Sequence, residues 1–139
     1  MSEQILCRKA KFWFNEGVLF CEFIPHEADD HFSVHFLDDF LEAISTLSKD
    51  GHFPLVIDLR ALKNKCALLA IELLSENPEL NSFILSKSFV VSSCIMKLNV
   101  ILFIMNQDSV IPNKVFTNLE NAIKYSLETN CVFNTQKSI

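Results

Sequence analysis

The chain has very little glycine: Gly17 and Gly51 are its only two glycines. Loops that bind phosphate groups through successive backbone amides are usually glycine-rich. The scarcity of glycine therefore argues against a phosphate-binding loop of this kind, and with it against a nucleotide-binding protein.

An excess of positive charge is also missing. The 17 acidic and 12 basic residues give a net charge of −5. Because nucleic-acid-binding proteins neutralise phosphates with clustered lysine and arginine, we expect no nucleic acid partner.

Paired cysteines and long apolar runs are absent from the sequence as well. The five cysteines are odd in number and include no C-x-x-C pair, which favours unbridged thiols in a reducing compartment over disulfides or a zinc site.

The opening residues lack the apolar core of a signal peptide. The longest apolar run, residues 100–105, is far shorter than the roughly 20 residues of a membrane span. We expect a soluble cytoplasmic protein without a membrane span.

Apolar residues make up half of the 139-residue chain. A chain of this length and composition can bury one substantial core. We predict a single domain over residues 1–139, with its folded core at about residues 11–128 and a tail at residues 129–139 that we expect to be mobile.

Residues 53–60, FPLVIDLR, form the clearest predicted strand. An unbroken apolar run is typical of a strand that is covered on both faces of a sheet. Its polar end places Asp58 and Arg60 at the carboxyl edge, where open α/β sheets form their clefts, so both are candidates for binding a ligand. We favour a structural pairing of the two over catalysis, because no histidine or nucleophile lies close in sequence.

The other elements follow from the spacing of apolar and turn residues. They are a hairpin at residues 11–14 and 18–24, helices at 29–49 and 64–76, a short helical piece at 79–84, a strand at 88–93, an edge strand at 113–116 and a last helix ending near 128. A capping box of Thr117 and Glu120 begins that last helix. For residues 94–106, periodicity does not distinguish a strand from a buried helix.

Four polar residues share one side of the first predicted helix: His31, His35, Asp38 and Glu42. Two imidazoles and two carboxylates in reach of each other could hold a divalent transition metal. A solvated helix face has the same composition, so we predict no metal site. A metal-dependent enzyme using His31, His35 and Asp38 is the weakest of our hypotheses.

Cys66 lies near the start of the second predicted helix, beside Lys63 and Lys65. This position favours a reactive thiolate. A lone cysteine among alanine and leucine residues is more often a packing residue, which is the interpretation we prefer.

The apolar segment at residues 94–105 has three interpretations: core, partner-binding surface, or wall of a lipid pocket. A helix lying on a sheet buries about half of its circumference. Residues such as Ile101, Leu102, Phe103 and Met105 would then need another cover, and a second copy of the chain is the simplest one.

The order of these elements resembles that of the small bacterial STAS-like domains. Two segments carry the resemblance, PLVIDLR at residues 54–60 and IPNKVFTNLENAIKYSL at residues 111–127, and the likeness spans residues 11–128. Such domains have the fold of anti-sigma-factor antagonists and are related to CRAL-TRIO lipid-transfer domains. The resemblance implies a strand at residues 88–93 and a helix at residues 94–106.

The resemblance also bears on regulation. The antagonists carry a phosphorylatable serine at the start of the helix that follows the strand equivalent to FPLVIDLR. Residues 61–74 contain neither serine nor threonine, and Asn64 or Cys66 occupies that region. The partner-switching mechanism therefore does not carry over.

We therefore predict an α/β protein with a mixed, mainly parallel five-stranded sheet, an amino-terminal antiparallel hairpin and four main helices. Its predicted function is that of a non-catalytic, homodimeric STAS-like interaction or regulatory module without a cofactor. The predicted contact regions are Asp58, Arg60, Asn64 and Cys66, and the apolar helix near Phe103. The alternative is a protein that holds a lipid or another small apolar ligand in a pocket walled by phenylalanines.

Overall fold

The computed structural model of the protein describes residues 3–7, 9–25, 34–108 and 110–137. These residues form a six-stranded sheet, whose strands lie side by side in chain order, and five helices. The strands are β1 (Gln4–Leu6), β2 (Ala10–Asn15), β3 (Val18–Phe23), β4 (Phe53–Asp58), β5 (Ile84–Val90) and β6 (Asn113–Phe116). The helices are α1 (Val34–Ser48), α2 (Asn64–Ser75), α3 (Pro78–Phe83), α4 (Cys94–Met105) and α5 (Leu119–Lys137).

The sheet has one strand more than the five we predicted. The additional strand is β1, a three-residue edge strand that pairs antiparallel with β2 and aligns Gln4 with Trp13. Three residues are too few to show an alternation of apolar and polar side chains, so the sequence gives no signal for it. The mixed, mainly parallel α/β architecture is confirmed: β1 to β3 are antiparallel neighbours, and β3 to β6 are parallel.

The predicted hairpin turns at Glu16 and Gly17, which have φ angles of 51° and 80°. Two consecutive positive φ angles suit a two-residue hairpin turn, because they match the twist of the strands. A Cβ atom on Gly17 would overlap the side chain of Asn130 in α5. Glycine therefore suits the backbone conformation here, and a larger side chain would require the Asn130 side chain to move.

Helices α1 to α4 cover one face of the sheet, and α5 covers the other. Side chains alternate across a strand, so Leu55 and Ile57 of β4 belong to the core shared with α1 to α4, while Val56 packs with Ala122 on the side of α5. The strand β4 is buried on both faces, as its apolar run predicted.

Phenylalanine rings fill much of the larger core. The rings of Phe12 and Phe40 meet edge to face, with 5.1 Å between their centroids. Those of Phe23 and Phe36 lie 5.7 Å apart. Such aromatic pairs add to the stabilisation that burial of their area provides.

Residues 94–105, which periodicity left open, form the helix α4, as the resemblance implied. Ser93 caps this helix, since its Oγ accepts a hydrogen bond from the backbone N–H of Met96 at 3.2 Å. The preceding strand, β5, lies a few residues earlier in the chain than predicted. Among the described residues, no helix has both the length and the apolar composition that crossing a membrane requires.

The last helix starts at a different cap and runs further than predicted. Asn118, rather than Thr117, caps it: Asn118 Oδ1 accepts the N–H of Asn121 at 3.3 Å. Helix α5 continues to Lys137, so residues 129–137, which we predicted as a mobile tail, are helical. Their polar composition concealed this, because they extend the helix without adding a regular apolar stripe. The predicted first turn of α1, from residue 29, lies outside the described residues.

Candidate functional site

The carboxyl edge of the parallel strands is where the sequence placed its polar candidates. There Asp58, the last residue of β4, aligns with Glu22 of β3 and Val90 of β5. Because the parallel strands end at a common edge, α2, α4 and α5 all begin there. The chain reaches α2 through a short turn that contains Arg60.

Asp58 and Arg60 form an ion pair that uses both carboxylate oxygens. Arg60 Nη2 donates to Asp58 Oδ2 at 2.8 Å, and Arg60 Nε donates to Oδ1 at 2.9 Å. The backbone N–H of Arg60 also donates to Oδ1, at 3.1 Å. The hydrogen bond with Asp58 is the main cause that raises the pKa of Arg60. The carboxylate is engaged by its neighbour and fixes the turn between β4 and α2, as the pairing interpretation predicted.

The other two candidates at this edge lie on the first turn of α2, but at different depths. Asn64 is exposed, whereas Cys66 is buried in the protein. Asp58 is buried as well, and Arg60 is exposed. The four residues are therefore not gathered around one open cleft, because Asp58 and Cys66 are buried while Arg60 and Asn64 are exposed.

The predicted metal-binding stripe is only partly described, because His31 lies outside the described residues. His35, Asp38 and Glu42 are exposed on α1. The structured ranges given above contain no cluster of three or more histidine, cysteine, aspartate or glutamate side chains that could hold a metal ion.

No disulfide links the five cysteines, all of which lie within the described residues. Burial raises the pKa of the Cys21 thiol. This thiol therefore stays protonated at neutral pH. Cys94 and Cys131 are exposed.

A continuous apolar row lies on the outer side of α4. It consists of Ile95, Leu98, Leu102 and Met105, whose residues are 73%, 61%, 61% and 72% exposed. Spacings of three and four residues put these side chains in line along the helix, opposite the buried Met96 and Val100. We call this row the α4 stripe.

Two of the four residues predicted for a dimer surface, Leu102 and Met105, belong to the α4 stripe. Ile101 and Phe103 are half-buried and pack against the core. Sequence reasoning missed Ile95 and Leu98, because a helix that is apolar nearly all round does not reveal which side faces the sheet.

Helix α2 packs beside α4, and its outer side carries charged residues. Lys65 and Glu72 are exposed and, with Leu69, follow one another along the outer side of α2, and the exposed Glu76 is the residue just after its end. A groove of about 660 Å³ lies between the two helices. It is lined by Leu69, Glu72, Leu73, Glu76, Phe103, Asn106 and Gln107.

A buried lysine that sequence reasoning missed lies beside the C-terminal end of α2. Lys87 of β5 is fully buried. Its Nζ donates to the carbonyl oxygens of Leu74 at 3.0 Å and Ser75 at 2.5 Å, and to Asn81 Oδ1 at 2.6 Å. Burial lowers the pKa of Lys87 from 10.5 to about 8, although the negative charge of Glu76 acts to raise it. The ammonium group thus caps the negative end of the α2 dipole.

A second groove, of about 630 Å³, lies between α5 and the amino ends of β5 and β6. It is lined by Ile84, Leu85, Val110, Ile111, Pro112, Tyr125, Glu128, Thr129, Val132 and Phe133. Its volume is in the range of about 300–1,000 Å³ that is usual for small-molecule sites. This groove lies at the opposite edge of the sheet from Asp58 and Arg60.

Comparison with known proteins places the chain in a family. No curated protein and no solved structure matches the chain. One family model, described as "Domain of unknown function (DUF7793)", matches residues 12–130. The matched range contains the strands β3 to β6, the helices α1 to α4, the ion pair of Asp58 with Arg60, and Lys87. The chain belongs to the DUF7793 family.

Proposed function

We propose that this protein is a non-catalytic, cytoplasmic STAS-like interaction module that forms a homodimer through the α4 stripe. The observation that carries the proposal is the row of four apolar side chains, each at least 61% exposed. Single exposed apolar residues are ordinary on protein surfaces. A contiguous row with polar neighbours is typical of an interaction site.

The extent of the α4 stripe suits a second copy of the chain. Its four side chains present on the order of 500 Å² per copy, so two facing copies would bury about 1,000 Å², near the lower bound for a specific interface. A two-fold dimer buries the same patch on both subunits, and such dimers are the commonest oligomers. The α4 stripe of each chain is therefore sufficient to form a two-fold dimer.

The polar candidates support an interaction role over turnover. The Asp58 carboxylate accepts three hydrogen bonds from Arg60, and Cys66 is buried. A general base or nucleophile must instead reach the substrate. The sequential strand order, with α1 to α4 on one face, supports the STAS-like part of the proposal.

Leu102→Glu tests the proposed dimer. We expect wild-type protein to sediment as a dimer at micromolar concentrations and the variant as a monomer, because two carboxylates, one from each copy, would have to be desolvated between the facing stripes. Val132→Glu is a matched control, since Val132 is also 61% exposed but lies on α5. A wild-type monomer, or a dimer that Leu102→Glu leaves intact while circular dichroism is unchanged, would refute the proposal.

A second candidate function is the binding of a lipid or another small apolar ligand, which the groove beside α5 favours. Seven of its ten lining residues are apolar. If this function is correct, native mass spectrometry of the purified protein detects an additional mass that organic extraction removes. Val132→Glu should then lose the ligand and keep the dimer, whereas Leu102→Glu should do the reverse. Wild-type protein that carries no extra mass, and gains none after incubation with oleate, excludes this candidate.

A further inference from the structure

The helices α2 and α4 carry charges of the sign that their dipoles disfavour. Lys65 and Lys97 lie in their first turns, and Glu72 lies in the last turn of α2. Glu76 and Asp108 lie just beyond the C-terminal ends of the two helices. The N-terminal end of a helix favours acidic side chains and the C-terminal end favours basic ones. These five charges therefore do not stabilise the helices that carry them.

Their own chain does not neutralise these charges in ion pairs either. No salt bridge within the described residues involves Lys65, Lys97, Glu72, Glu76 or Asp108. All except the half-buried Lys97 are exposed. Their charges are available to a partner on this surface.

The fold gives this surface a basic end and an acidic end. Both helices connect the carboxyl end of one parallel strand with the next strand, so they run in the same direction. Lys65 and Lys97 consequently lie at the carboxyl edge of the sheet, and the three acidic residues lie at the other edge. The α4 stripe runs between the two ends.

We infer that two copies meet through α2 and α4 in antiparallel orientation about a two-fold axis, with Lys65 of each copy facing Glu72 and Glu76 of the other. This inference rests on the proposed function, because it orients the contact made by the α4 stripe. A parallel arrangement would bring the two basic ends together, and like charges facing each other across an interface are unfavourable. The antiparallel arrangement also aligns the helix dipoles favourably.

The spacing along α2 fits this arrangement. At 1.5 Å per residue, Lys65 lies about 7 Å before the middle of the helix, and Glu72 and Glu76 flank a point about 7 Å after it. A two-fold axis through the middle of the contact therefore brings Lys65 of one copy opposite the point between Glu72 and Glu76 of the other copy. Lys65 of the second copy would then enter the groove that Glu72 and Glu76 line.

Charge reversal tests the orientation. Lys65→Glu and Glu72→Lys each replace an attraction by a repulsion at two symmetric places, so each should weaken the dimer about tenfold or more. The double variant should bind more tightly than either single variant. Lys124→Glu makes the same charge change as Lys65→Glu, but on an exposed residue of α5. It should leave the dimer unchanged. Sedimentation equilibrium at low and at high salt measures the wild type and the four variants, and the wild-type dimer should weaken as salt rises.

The outcomes separate this inference from the function on which it rests. If Leu102→Glu gives a monomer but the double variant is no tighter than the weaker single variant, the antiparallel orientation is wrong and the interaction function stands. If single reversals strengthen the dimer, like-charged ends meet and the inference is likewise overturned. If the wild-type protein does not associate, both fall.

Discussion

Lys87 holds a positive charge inside the protein, with two backbone carbonyls and one amide oxygen as its hydrogen-bond acceptors. Three acceptors match the three N–H groups of an ammonium ion. Desolvation nevertheless disfavours the charged form, which is why the pKa falls to about 8. The folded state therefore bears an electrostatic cost at neutral pH that the unfolded chain does not.

This cost predicts how stability depends on pH. Between pH 8 and 10.5 the unfolded chain binds a proton at Lys87 that the folded chain has lost, so stability rises with pH in this window. We expect the free energy of unfolding of the wild type to gain up to about 3 kcal/mol relative to Lys87→Met over this range. Urea unfolding at pH 7, 8, 9 and 10 measures the difference.

Lys124→Met is the control for this measurement, because it removes an exposed lysine. Its stability should follow the pH profile of the wild type. A Lys87→Met profile parallel to that of the wild type would contradict the assigned environment of Lys87.

Sequence reasoning succeeds for one of these buried polar residues and fails for the other. The pairing of Asp58 with Arg60 is predictable, because the two residues lie two positions apart at the polar end of the predicted strand. The acceptors of Lys87 come from α2 and α3, and nothing in the local sequence of β5 points to them. The lone lysine of β5, which lies between Ser86 and Ser88, is the only sign of this buried charge in the sequence.

At the scale of elements, the structure ties the start of α4 to one side chain, Ser93. Its hydroxyl satisfies a backbone N–H that the helix itself leaves without a partner. Ser93→Ala should lower the free energy of unfolding by about 1 kcal/mol. Ser92→Ala, at the exposed neighbouring position, should leave it nearly unchanged. Equal losses in urea titrations of the two variants would show that the cap does not stabilise α4.

The elements that were predictable differ from the others in the kind of signal they carry. The strand β4 and the helices α1 and α2 have a clear run or period of apolar residues, and sequence reasoning found them. The end of α5 is polar, and β1 has only three residues, so neither shows a period. In α4 the apolar residues occur on all sides, and only the packed structure distinguishes Leu98 and Leu102 from Met96 and Val100.

At the scale of the whole molecule, the parallel arrangement of β3 to β6 was predictable, because helices lie between these strands along the chain. Connections of this kind are nearly always right-handed, which places successive helices on the same face when the strands follow one another in order. The helices α1 to α4 share one face accordingly. The exposed apolar side chains of the α4 stripe were less predictable, since they depend on which residues the packing leaves outside.

The placement of α5 alone on the second face affects the order in which the protein is completed during synthesis. Each strand is added next to the one before it, so the sheet can grow as the chain leaves the ribosome. Val56 and Val90 lose contact with water only when α5, which lies last in the described chain, docks on them. A nascent chain that stalls after β6 would therefore expose an apolar sheet face and be a substrate for chaperones.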